Sequence, residues 1–254
     1  ARHYAAVGAI VLAPASGPMA DYGRRMIDRA ADIAAELDDA YLLGFVQVCR
    51  GQYAVLAGAW AEARRCCEEG VTLLRNECPG ATWESHIGEM GLLRALQELG
   101  QFATLRRRAT SLRERAISLD DRYAEVTGRL FEAIGQVSMR RSAAAREHVR
   151  LALERWSDRP EAEMQRMYAG HILVMCDLVD DDVEAAWARV EAAWPLWERS
   201  QLLRFPVSRI DCLALRLRIA VCVALAVPGR REAPLAQARR AITRLGAERR
   251  ADAK

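Results

Sequence analysis

Chain-breaking residues recur in this sequence at nearly constant spacing. Gly17, Gly58, Gly100, Arg140 and Asp181 follow one another at intervals of roughly 40 residues. Between them run apolar stripes of helical period. Leu105, Ala109, Leu112, Ala116 and Leu119 step by four and three, as do Val183, Trp187, Val190, Trp194 and Trp197. No segment shows the alternation and bounding turns that a strand ladder needs. One helical hairpin cannot bury its own apolar face, so a period of this length means hairpins stacked on their neighbours. The expected fold is all-α, a right-handed α-α superhelix. It comprises about six hairpins, roughly 1–38, 39–77, 81–119, 120–157, 159–200 and 206–249, in a single domain over 1–254.

The other breakers fit that register. Ala15-Ser16-Gly17-Pro18 ends a first helix, and Cys78-Pro79-Gly80 reads as a loop with Thr82 as the following N-cap. Asp158-Arg159-Pro160-Glu161 reads as a helix start, with Asp158 as cap and Glu161 reaching back to it. Asp180-Asp181-Asp182 is a further turn and cap, and Pro206 and Pro228-Gly229 bracket a long apolar helix. Pro195 falls inside the tryptophan-bearing helix, where it removes a backbone donor and bends the axis.

Inside the period, Gly58-Ala59-Trp60-Ala61-Glu62-Ala63 resembles the turn of tetratricopeptide repeats, with Gly51 at the small position seven residues earlier. Gly100-Gln101-Phe102 repeats it, and Val183-Glu184-Ala185-Ala186 keeps a degenerate form. The likeness implies a tetratricopeptide-like solenoid. In such arrays the first helix of each hairpin lines a groove. The positions that map to it here are Phe45, Gln52, Arg94, Gln97, Tyr168 and His171. Aromatic, amide and basic groups together suit an extended peptide or an acidic tail.

A narrower resemblance starts at Cys78, Gly80, Trp83 and Glu84. It continues through Leu99, Gly100 and Arg106–Arg108, then Arg155, Trp156 and Ser157. It ends in Ala193-Trp194-Pro195, Arg199-Ser200, Leu202-Leu203-Arg204 and Arg209-Ile210. In order and spacing these residues, within roughly 40–225, resemble the C-terminal helical region of large bacterial serine/threonine protein kinases that also carry an ATPase module. The chain departs from that pattern after Ser157, where Arg159-Pro160-Glu161 replaces a Gly-Phe-His segment. The resemblance implies a non-catalytic interaction or sensor region, cytoplasmic, that regulates an attached kinase or ATPase. The absence of an initiating Met fits a piece of such a longer chain.

Composition narrows the chemistry. Of 37 Lys and Arg residues only Lys254 is lysine, and it ends the chain. A P-loop, a protein kinase and a Schiff-base enzyme each need a placed lysine, and the motifs G-x-x-x-x-G-K-[ST], H-R-D and D-F-G are absent. The chain is therefore read as no enzyme itself, and no cofactor is expected. The formal net charge of +3 makes no demand for nucleic acid. Arg106-Arg107-Arg108, with Arg113 and Arg115, reads as a solvated outer face.

Seven cysteines without a C-x-x-C, and four scattered histidines (His3, His86, His148, His171), give no metal-ligand spacing. The cysteines read as small buried hydrophobes in a reducing compartment. Asp180–Asp182 lacks the spacing of a calcium loop. Ala5–Ala13 mimics a signal peptide but falls within the repeat register, and charges cut the run at Ile219–Val227 short of a membrane span. The expected partners are thus a protein or peptide, without nucleic acid or membrane, and with a homodimer possible through the end hairpins. Trp187, Trp194 and Trp197 read as core between hairpins, with an aromatic pocket as the alternative. Two other functions compete: the helical sensor arm of a transcriptional-activator ATPase, marked by an attached helix-turn-helix, and a small-molecule-binding or enzymatic domain using a carboxylate with His171.

Overall fold

The computed structural model describes Tyr4, residues 18–156, residues 163–248 and Arg250. The chain forms two compact units, Ala1–Thr104 and Leu105–Lys254. Among the described residues there are long helices and no strand. The first unit holds α1 (Pro18–Leu37), α2 (Ala40–Ala57), α3 (Trp60–Glu77) and α4 (Thr82–Glu98). The second holds most of α5 (Phe102–Ser118), then α6 (Arg122–Ser138), α7 (Ser142–Arg155), α8 (Glu163–Val179), α9 (Val183–Arg199), α10 (Pro206–Ala226) and α11 (Glu232–Gly246). Short 3-10 turns at Gln201–Arg204 and Pro228–Arg230 flank α10. From α1 to α4, and again from α6 to α11, each helix packs on the next, and α2 also touches α4 as α6 touches α8; α5 meets α6 through Thr110 and Arg113, which bond Glu132. Contact between successive first helices is what stacked hairpins require.

The periodic turn residues share one backbone geometry. Gly58, Gly100, Arg140 and Asp181 all have positive φ, at 75°, 69°, 58° and 60°. At each, two hydrogen bonds close the helix end. The turn residue donates to a carbonyl three residues back, and its successor donates to one five back, as in Gly58 N to Val55 O and Ala59 N to Ala54 O. That is the Schellman arrangement, which satisfies carbonyls that the helix end would otherwise leave open. Asp120, with φ 50°, forms the same pair of bonds between α5 and α6. Glycine adopts this conformation freely. Arg140 and the aspartates adopt it against a steric preference, so the turn is held by its surroundings.

Helix starts are set by aspartates. Asp39, Asp121 and Asp182 accept hydrogen bonds from the backbone N–H of Leu42, Ala124 and Ala185. Thr82 is not the cap of α4: it is the first helical residue, and Ala81 stands at the cap position with no side-chain bond. The Ala5–Ala13 stretch, the Gly17 turn, Ser157, the Asp158–Glu161 helix start and Lys254 lie outside the described residues.

The core of the first unit is built on glycine. A Cβ on Gly51 would stand 2.2 Å from Cys67 Sγ and 3.0 Å from its backbone N. One on Gly70 would stand 2.8 Å from Gly44 O and 2.9 Å from Val48 N. Only hydrogen fits there, so α2 and α3 approach backbone to backbone. Leu74, Val71, Val48 and both Cys66 and Cys67 fill the remaining space.

The second unit closes around large side chains. Met167, Val190, Trp194, Trp197, Ile210, Leu213, Ile219 and Val223 form one cluster, with Trp187 packed against it. The tryptophan stripe is therefore core, which is the first of its two expected roles. Trp194 meets Trp197 edge-on at 6.2 Å, and the Arg216 guanidinium covers Trp194 at 4.0 Å. The proline-containing α9 runs unbroken through this contact.

Five of the seven cysteines are buried and all seven are free. Burial pushes the Cys49 thiol up to about 12 and that of Cys176 up to about 11, so neither is a thiolate near neutral pH. No described helix is long and apolar enough to cross a membrane. The Ile219–Val227 run buries Ile219, Ala220, Val223 and Ala224 in α10 and leaves Val221 and Leu225 exposed.

Candidate functional site

The residues that the repeat register assigns to a groove fall in both units. Phe45 and Gln52 lie on α2, and Arg94 and Gln97 on α4. Phe45 is buried and stacks on Tyr41. Gln52 Nε2 donates to Ile87 O at 2.8 Å. Arg94 is buried, pairs with Glu98 at 3.1 Å and lies over the Trp60 ring. Gln97 donates to Glu98, while its Oε1 is buried without a partner. Tyr168 and His171 lie on α8 in the second unit. Tyr168 tilts against Phe131, and His171 stacks on Trp197 with Nε2 3.3 Å from Asp211 O. Most of these groups engage neighbouring side chains or backbone of their own unit.

A concave site lies elsewhere among the described residues, where α5, α6 and α7 meet in the second unit. Its origin is the spacing on α5. Leu105, Ala109, Leu112 and Ala116 are fully buried, so the row one residue further on, Arg106, Thr110 and Arg113, flanks the core and faces α6. Arg107, Ser111 and Glu114 form the next row toward solvent. On α6, Gly128 and Gly135 admit the α5 stems. A Cβ on Gly135 would meet Arg106 Cγ at 2.4 Å, and one on Gly128 would meet Arg113 N at 3.0 Å. Glu132 and Gln136 project between them, and α7 brings His148. The open cleft they line is about 670 Å³, within the range of small-molecule sites. Met139 and Arg141 complete its wall.

At its floor Glu132 is buried but satisfied. Thr110 Oγ1 donates to its Oε1 at 2.7 Å, and Arg113 Nε donates to its Oε2 at 2.9 Å. His148 Nδ1 lies 3.4 Å from the same Oε2 without a hydrogen bond. Burial, with Arg113 and Arg129 nearby, holds the His148 imidazole below its usual range against the pull of Glu132 and Glu147. Gln136 Oε1 is buried with no donor to meet it. The side chains of Arg106, Arg107 and Arg141 make no hydrogen bond or ion pair with any described residue. The arginine run is thus not simply a solvated face: Arg107 is exposed, but Arg113 pairs with a buried carboxylate and the Arg106 stem packs on Gly135 of α6.

No protein-family model, curated protein or solved structure matches this chain. The cleft therefore has to be interpreted from its own chemistry.

The neighbouring networks differ from it in having no unspent partners. Asp177 is buried and receives Arg146 at 2.8 Å and Arg189 at 2.8 Å, while Arg146 also reaches Asp180, which accepts from Ser142. The hydrogen bonds from Ser142 and Arg146 hold the Asp180 carboxyl below its ordinary value. Burial pushes the Glu125 carboxyl up, but its bonds from Arg155 and Arg129 more than offset this and hold it low. These clusters tie helices together. Among the described residues no group of three or more His, Cys, Asp or Glu is placed to hold a metal. Sequence reasoning missed the cleft because its floor comes from three helices. The available signals were Arg106, Thr110 and Arg113 on one helical flank, with Gly128 and Gly135 seven apart on the next helix.

Proposed function

We propose that this chain is a non-catalytic helical-hairpin region of a bacterial signalling protein, one that binds a ligand and passes the event to an attached kinase or ATPase module. The observation that carries this reading is a preformed cleft whose arginines and Gln136 carbonyl are left without partners inside the protein. The ion-pair cluster at Asp177 is closed by contrast, with both carboxylate oxygens met by arginine. The order of the motifs from Cys78 to Ile210 supports the attachment to a kinase. A binding role also suits the chemistry of the floor. Both Glu132 oxygens are engaged, one by the Thr110 hydroxyl and the other by Arg113, and the Thr110 hydroxyl hydrogen is directed at Glu132.

The test is thermal unfolding of the full chain against a panel of small organic acids, phosphates, neutral metabolites and acidic peptides. A ligand at 100 times its Kd stabilises by about 2.7 kcal/mol, which a melting curve resolves. Hydrogen exchange with the best ligand should then change protection on α8–α11 as well as at the cleft, as relaying requires. A panel with no stabilising member would overturn the reading. So would turnover of phosphate or carboxylate esters that Thr110→Ala abolishes.

A further inference from the structure

We infer that the cleft between α5, α6 and α7 is an oxyanion site, taking a small hydroxylated organic anion whose charged head is a phosphate ester or a carboxylate. The inference rests on the binding reading above and names its ligand class. Three observations converge on it. Arg106, Arg107 and Arg141 line one cavity and have no carboxylate of the chain to answer them. Guanidinium groups match oxyanions through paired N–H donors, and clustered cations attract an anion; Arg106 is half-buried here, while Arg107 and Arg141 reach solvent at the rim. The two acidic residues at the site are both drawn to Arg113, Glu132 at 2.9 Å and the rim residue Glu114 at 3.7 Å, and neither pairs with Arg106, Arg107 or Arg141.

The second observation concerns the neutral end. Gln136 Oε1 is buried without a donor, and a buried unmet acceptor is costly. A hydroxyl of the ligand would supply the missing proton. The third is size: about 670 Å³ suits a molecule of metabolite dimensions rather than an inorganic ion alone. The Arg106 stem also packs directly on Gly135, where an added Cβ would stand 2.4 Å from its Cγ.

The experiment is isothermal titration of the full chain at low salt with three probes: pyrophosphate, ribose 5-phosphate and citrate. Variants are Arg106→Met with Arg141→Met, Gln136→Met, and Arg240→Met as a control on α11 away from the cleft. The arginine variants keep their stems and break no bond, and circular dichroism checks their folding. Binding of a phosphate or citrate probe, weakened at least tenfold by the arginine double variant and unchanged by Arg240→Met, supports the site. Which probe binds assigns the head group. Gln136→Met should weaken ribose 5-phosphate several-fold and leave pyrophosphate unchanged.

If none of the three binds, or if Arg240→Met weakens binding as much as the double variant, the inference is wrong. Tighter binding of a nucleic-acid duplex through the same arginines would also overturn it. Should a neutral compound or peptide from the melting panel bind through cleft residues while all anions fail, the oxyanion inference falls and the binding reading stands.

Discussion

Two regions of this molecule solve the same packing problem by opposite means. In α2 and α3 the helices meet at glycine, and their backbones come so close that a methyl group on Gly51 would overlap Cys67. In α8 through α10 the helices are held apart by tryptophan and methionine, and Gly170 of α8 has open room, with only Trp197 at 3.6 Å from an added Cβ. Both regions carry apolar residues at helical spacing. What differs is where the core volume resides: in the closeness of main chains in one, and in side chains in the other. A glycine in one region is a structural requirement, and in the other it is a replaceable residue.

The comparison can be broken most forcefully at the aromatic core. Trp194→Ala removes a buried side chain, its edge contact with Trp197 and the platform under Arg216. The expected loss is about 3–5 kcal/mol in denaturant unfolding. A loss below about 1 kcal/mol would mean that side-chain volume does not hold that region.

A matched glycine pair sharpens the contrast. Gly51→Ala should destabilise by about 1–3 kcal/mol through overpacking. Gly170→Ala should be neutral or stabilise by up to about 1 kcal/mol, since alanine is the better helix former and meets only ordinary contact. Equal effects in the two would erase the distinction.

The smallest effect concerns pH. His148 is held below its ordinary value in the folded state, so the unfolded chain takes up its proton first. Stability should therefore fall as pH drops below about 6.5, the unfolded histidine value. His148→Gln should flatten that decline. Glu125, held low by Arg155 and Arg129, and Asp180, held low by Ser142 and Arg146, contribute stability above the ordinary carboxylate range that is lost only as pH falls through their folded values. Equilibrium unfolding between pH 7 and 3 separates the two phases. An unchanged slope in His148→Gln would show that the imidazole is protonated alike in both states.

The turns show how far the chain could be read before folding. Gly58 and Gly100 announce a left-handed residue by type. Arg140 and Asp181 do not, and only the period of about 40 residues placed them at equivalent turns, where their φ values confirm the geometry. Local chemistry was less legible. Thr82 has the right side chain for a cap, yet Ala81 occupies that position, because the loop bond from Ala81 N to Cys78 O sets where the helix begins. The cleft was invisible for a different reason. Glu132, Gln136 and His148 are unremarkable along the chain, and their relation depends on how α5 and α7 sit against α6. The arginine run looked like an outer face because a one-dimensional pattern shows which residues leave the core, but not which of them find a neighbouring helix.

The glycine contacts between α2 and α3 have a mechanical consequence. Gly44, Gly51 and Gly70 are notches into which Leu74, Cys67 and Val48 fit. Sliding one helix along the other, even by a single residue, would drive a side chain into main-chain atoms. The pair is thus indexed like meshed teeth. It can tilt only as one piece, and any displacement reaching it from Asp38 or from the Pro79-Gly80 loop is carried to the opposite end without slipping.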